Sequence, residues 1–164
     1  MKTLLFGSTL LCLLASPAHA QLRSINDLSL AAANKLANAA MAACQAQGRH
    51  IVVTILDHGG NVVAVQRADG VGPHNTAASQ RKAYTALSTK SDTYTLAVAA
   101  RTHPDMANLS TVPELLLLGG GLPLLAKGET VGAIGVAGGG GALQDRACAQ
   151  AALAALPELD SPTL

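Results

Sequence analysis

A histidine and two cations fall at helical spacing in the segment Asp69–Lys90, DGVGPHNTAASQRKAYTALSTK. A loop rich in glycine and proline leads to His74, and Arg81 and Lys82 follow two turns later. Because residues three or four apart share a helix face, His74 and Arg81 can lie on one side of the same helix. The segment therefore predicts a ligand site carried by a single helix and the loop before it.

The residues after His74 place its imidazole at the start of that helix. Asn75 and Thr76 both belong to the types that cap helices, so backbone N–H groups and the positive end of the helix dipole lie beside the ring. This environment disfavours the protonated imidazole and suits a neutral ring that binds a metal. The layout fits haem, with the iron on His74 and a propionate on Arg81 or Lys82. The alternative is a histidine that only opens a helix.

Other side chains are further candidates for contacts with the ligand or for the axial position on the iron. Tyr84 is either a second oxygen ligand, a hydrogen-bond donor or a packing residue. His50, just before the first predicted strand, and His103, just before a proline, are the alternative axial ligands, although neither has an orienting neighbour in sequence. His58 lies in a predicted hairpin turn. No serine elbow, Ser/His/Asp order or carboxylate pair stands out, so we predict no catalytic residue and favour a binding protein over an enzyme.

Two glycine clusters, Gly119–Gly121 and Gly138–Gly141, are the second functional signal. Glycine lets the backbone approach a ligand without interference from Cβ, and on this ground we assign Gly120 and Gly121 to the cofactor-binding set. Neither cluster matches a phosphate loop or a dinucleotide fingerprint. Turn geometry and close packing of a helix on a sheet explain the same glycines equally well.

Residues 1–20 have the layout of a signal peptide. Lys2 supplies a positive start, Leu4–Leu14 an apolar run, and Ala18-His19-Ala20 an A-x-A cleavage site. The apolar run is shorter than the ~20 residues that a membrane-spanning helix needs, so no membrane span is expected. We expect cleavage after Ala20 and a periplasmic or secreted protein.

We treat residues 21–164, which remain after cleavage, as one domain with a core at about residues 28–156. Its composition excludes some classes of partner. Loss of Lys2 leaves 10 cations against 10 acids, a balance that gives no sign of nucleic acid or an anionic membrane as partner. Only 13% of the whole chain is charged, and its alanine-rich helices can pack on a second copy. We therefore predict a homo-oligomer.

Two cysteines remain, Cys44 and Cys148, and the sequence does not decide whether they form a disulfide. An oxidising compartment permits a bridge that would stabilise the fold by about 4–5 kcal/mol in the chain-entropy model. Both residues fall in alanine-rich helical segments, where a small buried hydrophobic residue is the ordinary interpretation. No C-x-x-C pattern is present, so a structural zinc site is not expected.

Periodicity and turn residues predict an α+β domain in the order α-β-β-α-α-β-β-β-α, with helices packed on an antiparallel sheet of about five strands. A capping box at Ser24–Asp27 opens the first helix, and a proline ends the last. The predicted helices end at or near Ala46, Thr89, Arg101 and Leu156, and the strands are Ile51–Asp57, Val62–Ala68, Glu114–Leu118, Leu122–Ala126 and Thr130–Ala137. Asp57 and Asp145 are interpreted as a hairpin residue and a helix-start residue.

The chain resembles the GlcG/HbpS haem-binding family, whose domain also forms the C-terminal part of PduO-type proteins. The resemblance rests on IVVTILDHGGNVVAVQRA at Ile51–Ala68, on Asp69–Leu87, and on GGGLP at Gly119–Pro123. It continues through Gly132–Gly135 and Asp145–Ala149 and covers nearly all of residues 28–156. Each motif is weak alone, whereas the ordered set is specific.

The resemblance implies a profilin-like fold, homo-oligomers and, in some members, binding of haem or iron. It leaves open a second function, an enzyme or accessory protein that acts on a small organic acid. In that case the glycine loops would hold a carboxylate through backbone N–H groups, Arg81 would clamp it, and His74 would act as acid or base.

Overall fold

The computed structural model of the protein describes residues 24–160, which form an antiparallel sheet between two helical layers. The strands are β1 (Val52–Asp57), β2 (Val62–Arg67), β3 (Gly121–Ala126) and β4 (Glu129–Ala137), and their order in the sheet is β2-β1-β4-β3. The helices are α1 (Leu30–Gln45), α2 (His74–Thr89), α3 (Thr93–Thr102) and α4 (Ala142–Leu153), with a 3-10 helix at Pro104–Thr111. The predicted α+β class and antiparallel pairing are confirmed.

Local hydrogen bonds set the turn between β1 and β2. The Asp57 carboxylate accepts the Asn61 backbone N–H at 2.7 Å, and Gly60 has a φ of +84° that favours glycine. Burial raises the pKa of Asp57, but the hydrogen bonds that its carboxylate accepts from Asn61 and from the backbone of Gly59 and Gly60 together outweigh that effect and hold the pKa below its ordinary value. Asp57 is the hairpin residue that the sequence predicted.

The two faces of the sheet are covered differently. Helices α1 and α4 cover one face, where they share a core with inward side chains of β1, β3 and β4. Helix α2 covers the other face with a smaller apolar cluster. A Cβ at Gly135 or Gly121 would overlap the α2 backbone carbonyl of Ser79 or Lys82, so these glycines let α2 lie directly on the strands.

The alanine-rich face of α1 is fully used inside the protomer. Ala33, Leu36, Ala37, Ala40 and Cys44 are all buried against the sheet and α4. This face of α1 is therefore not available to a second copy, whereas Ala31 and Ala42 on its other side are exposed.

Several predicted boundaries also change. The strand predicted at Glu114–Leu118 is wrong, because the backbone there bonds to side chains of α2 rather than to a neighbouring strand. Helix α1 starts later than the predicted capping box, since Ser29 is the N-cap and its Oγ accepts the Ala32 N–H. Helix α4 ends at Leu153, three residues before the predicted end.

A disulfide joins α1 to α4. Cys44 and Cys148 are bonded with a Cα–Cα distance of 5.5 Å, and both residues are 0% exposed. Of the two alternatives left open by the sequence, the structure selects the bridge. It closes a loop of 104 residues and ties the two helices of one layer together.

We expect loss of this bridge to lower the free energy of unfolding by about 4–5 kcal/mol, because the unfolded chain regains the entropy of a long open loop. Urea denaturation with and without reductant measures the difference. The double variant Cys44→Ala/Cys148→Ala is the control, since its midpoint should match reduced wild type and should not respond to reductant. An unchanged wild-type midpoint under reducing conditions would contradict the prediction.

Candidate ligand-binding surface

The rotation of α2 separates the two predicted cations. Each residue turns an α-helix by about 100°, so the neighbours Arg81 and Lys82 point to different sides. Arg81 is exposed on the same side as His74, seven residues earlier, whereas Lys82 is 1% exposed. The structure thus keeps His74 and Arg81 together on an open helix face and places Lys82 in the interior.

His74 is exposed at the first residue of α2. Its ring lies back along the preceding loop, close enough that a Cβ on Gly72 would sit 3.0 Å from the ring Cε1 atom. Pro73 is the N-cap and makes no side-chain capping bond. Asn75 and Thr76 are therefore inside the helix, and the prediction that one of them is the N-cap is wrong. The Asn75 side chain instead donates to the Gly72 carbonyl at 3.2 Å.

Arg81 also holds the segment that crosses α2, residues 112–118. Its Nη2 donates to the carbonyls of Pro113 and Leu115 at 2.8 Å each. One turn further, the Thr85 hydroxyl accepts the Leu116 N–H at 2.8 Å, so the segment covers the C-terminal half of the His74 face. The open half runs from His74 to Arg81 and ends against the 112–118 segment.

Tyr84 lies beside this surface, not opposite His74. It is 39% exposed and lines an apolar cavity of about 510 Å³ together with Arg81 and Pro113. Ten residues of helix separate Tyr84 from His74, an axial distance of about 15 Å. One iron atom cannot contact both side chains within a protomer, so Tyr84 is placed to line a ligand cavity rather than to be the second ligand of iron on His74.

Lys82, on α2, is held by two other elements in the protein interior. Its Nζ donates to the Asp145 carboxylate at 2.7 Å and to the Val136 carbonyl at 3.0 Å. Asp145 is also buried, and its second oxygen accepts the Gly139 N–H at 2.6 Å. We therefore remove Lys82 from the candidate ligand set, because its charge is fully used in linking α2, β4 and α4.

A sequence signal for this inward lysine exists. Ser79, Lys82, Ala83 and Ala86 recur at helical spacing and are all buried, so Lys82 interrupts an otherwise small-residue face. A lone lysine on such a face predicts a buried acidic partner. The identity of that partner, Asp145, required the fold, because 63 residues separate the two.

Gly120 and Gly121 are likewise placed inside. Both are buried, and a Cβ on Gly120 would lie 2.5 Å from the Val136 carbonyl oxygen. The Gly121 N–H donates to the Thr93 hydroxyl at 2.9 Å. Packing of strands and helices accounts for both glycines, so we do not retain them as ligand contacts.

The remaining histidines are distributed over the surface. His50 is exposed and its Nδ1 lies 3.2 Å from the Asp69 carbonyl, next to the loop that leads to His74. His58, at the other end of β1, is half-buried with its Nδ1 2.7 Å from the Thr130 carbonyl. His103 is exposed at the end of α3. Within residues 24–160 no three His, Cys, Asp or Glu side chains are grouped so that they could hold a metal ion.

The fold and the site together define an α+β domain that exposes a histidine and an arginine on one helix face. The family model described as "Haem degrading protein HbpS-like" matches residues 28–154, and the chain belongs to this HbpS-like family. The resemblance to the GlcG/HbpS family is thereby confirmed. None of the helices within the described residues is long and apolar enough to cross a membrane.

Three similar proteins carry the comparison further. An uncharacterised 15.0 kDa protein of Citrobacter freundii is 34% identical over 139 residues, which span 84% of this chain and 97% of that protein. A double mutant of HbpS from Streptomyces reticuli is 39% identical with a TM-score of 0.77, over 87% of this chain and 97% of that one. A PduOC:heme complex is 26% identical with a TM-score of 0.74, over 84% and 99% of the two chains.

We expect Lys82→Met to lower the free energy of unfolding by about 3–5 kcal/mol, because it strands the buried Asp145 carboxylate without its partner. Asp145→Asn should act in the same direction. The double variant should lose less than the sum of the two single losses, since the second change removes the stranded charge. Urea denaturation measures all three.

Lys35→Met is the matched control for this series, because Lys35 is exposed on α1. It should stay within about 0.5 kcal/mol of wild type. A Lys82→Met loss as small as that of the control would show that the buried ion pair is dispensable.

Proposed function

We propose that this protein is an exported haem-binding protein that uses His74 as the axial ligand. The observation that supports it is the joint exposure of His74 and Arg81 on one face of α2, with Lys82 withdrawn from that face. The HbpS-like family assignment and the haem complex of the PduOC neighbour support haem as the ligand class.

The residues present fit this cofactor. A tetrapyrrole already supplies four nitrogens to its iron, so the protein needs to add only an axial donor, such as an imidazole. His74 offers that donor at an open helix start. Arg81 lies about 10 Å further along the helix axis and offers a guanidinium, which matches a propionate carboxylate.

Arg81 is the better of the two predicted propionate partners. Its Nη2 contacts two carbonyls of the 112–118 segment, yet the side chain is exposed and lines the cavity that also contains Tyr84. Lys82 could reach a ligand only by leaving Asp145, which would strand a buried carboxylate. A propionate at Arg81 therefore costs the fold much less than one at Lys82.

The shape of the surface favours a site between two copies of the chain. His74 is exposed at one end of α2, and the mature sequence has no phenylalanine or tryptophan to form a deep pocket. Haem laid on this face would bury one side and leave the other to solvent. A second protomer covering it would provide the missing apolar wall, which supports a homo-oligomer.

Export is supported by the disulfide. A bridge such as Cys44–Cys148 persists in oxidising compartments and is rare where thiols are kept reduced. The predicted signal peptide, residues 1–20, lies outside the described residues, so its proposed cleavage rests on the sequence pattern. We place the working protein in the periplasm or outside the cell.

Titration of haemin into the protein should produce a shifted Soret band that His74→Ala abolishes, because the iron loses its imidazole donor. His50→Ala and His103→Ala, the two alternative ligands, are the matched controls and should keep the wild-type spectrum. A wild-type spectrum in His74→Ala, together with its loss in either control, would assign the iron to that other histidine.

Arg81→Gln should keep the Soret position and weaken haemin binding about tenfold or more, since a charge-assisted hydrogen bond to a propionate is lost. Arg101 is an exposed arginine at the end of α3, so Arg101→Gln is the control that removes the same charge at another place. Equal affinity in the two variants would exclude Arg81 as a propionate partner.

Expression of the full chain in a bacterial host should yield a periplasmic or secreted product whose N-terminal residue is Gln21, because signal peptidase cleaves after the A-x-A pattern. Ala20→Asp should block processing and retain the larger precursor, since the cleavage site requires a small residue. N-terminal sequencing and intact mass measure both. An unprocessed wild-type protein in the cytoplasm would contradict the proposal.

A further inference from the structure

Three loops meet at one end of the sheet and line an open, polar surface pocket of about 350 Å³. They are residues 48–50 after α1, residues 70–72 before α2 with Asn75 in its first turn, and residues 138–140 between β4 and α4. The pocket contains Arg49, His50 and Asn75, while its other lining positions are glycines and Val71. Among the described residues no Asp or Glu lines it, so its charge is positive.

Within the described part of the chain, the Arg49 guanidinium forms a hydrogen bond to the protein on one side only. Its Nη1 donates to the Gly139 carbonyl. Its Nε is buried and has no hydrogen-bond partner among residues 24–160. A buried donor of a charged group without an acceptor is costly. Because the Nε is buried, the Nη2 group, which makes no hydrogen bond within residues 24–160, is the part of the guanidinium that a ligand can reach.

Glycine is required for this arrangement at the 138–140 loop. Gly140 has a φ of +95°, and a Cβ there would lie 2.6 Å from the Arg49 Nη1 atom. Gly138 has a φ of +102° and lies against the His50 carbonyl and Val71. The backbone of this loop can therefore approach Arg49 closely only because side chains are absent.

Asp145 does not neutralise the pocket. It holds the Gly139 N–H, but its charge is paired with Lys82 inside the protein. The Arg49 charge is therefore left without a carboxylate partner among the described residues. His50 turns its Nδ1 toward the Asp69 carbonyl at 3.2 Å, which orients the ring at the pocket rim.

We propose that this pocket binds the carboxylate of a small organic acid, with the Nη2 group of Arg49 as the charged donor. The site is separate from the haem surface, since neither His74 nor Arg81 lines it. The volume admits an acid of a few carbon atoms and is too small to enclose a tetrapyrrole. The carboxylate could also belong to a haem propionate, and the experiment below distinguishes the two sources.

Sodium acetate and sodium malonate, compared with sodium chloride at equal ionic strength, should each raise the melting temperature of haem-free wild type in a saturable manner. Arg49→Gln should weaken the apparent affinity for the acids about tenfold or more, because the charged donor is lost. Arg101→Gln is the control for a general loss of positive charge and should bind like wild type.

Amide NMR of wild type keeps the proposal testable if Arg49→Gln folds poorly. Resonances of Gly138–Gly140 should move on titration with acetate, while those of distant glycines such as Gly128 should not. Uniform shifts over the surface, or no saturable effect of either acid, would overturn the proposal.

A haemin titration of Arg49→Gln separates the two carboxylate sources. Unchanged haemin affinity beside weakened acid binding supports a site for a free acid. If wild type binds neither acid and Arg49→Gln has a weakened haemin affinity, the proposal is overturned and Arg49 is assigned to a propionate. The acids are tested without haem, so failure of this proposal and failure of the haem proposal give different results.

Discussion

The buried ion pair between Lys82 and Asp145 is the constraint on which the rest of the structure depends. It joins α2 to α4 across the end of β4, and each charge is fully engaged: the ammonium by Asp145 and the Val136 carbonyl, the carboxylate by Lys82 and the Gly139 N–H. Charges this deeply buried are tolerated only with such complete partners. The position of α2 on the sheet and the course of the 138–140 loop are therefore set together.

The same contact decides which residues face solvent. Because Lys82 is fixed inward, the helical turn of about 100° per residue directs Arg81 outward, onto the side that His74 occupies. Lysine suits the inner position, since its compact ammonium can meet acceptors in several directions. At the outer position, the Nη2 group of Arg81 donates to two carbonyls of the 112–118 segment. One interior ion pair thus shapes both the exposed face of His74 and Arg81 and the pocket at Arg49.

Local signals predicted much of this fold. The β1–β2 hairpin followed from His58–Asn61 between two β-branched runs, and the second hairpin from Lys127–Glu129. The failures are nonlocal. The segment after Pro113 looked like a strand, but its backbone partners are side chains of α2. The bridge between Cys44 and Cys148, and the pocket at Arg49, depend on distances that only the assembled layers create.

The two candidate sites differ in what the fold gives them. His74 and Arg81 are exposed on one helix face, so a flat ligand there gains little buried area until another protein surface covers it. The three loops that line the pocket at Arg49 all belong to one protomer. Its glycine loop is held by Asp145, one turn before the disulfide at Cys148, so α4 anchors it at two neighbouring points. The proposed haem site would therefore depend on assembly, whereas the residues of the small pocket all come from a single chain.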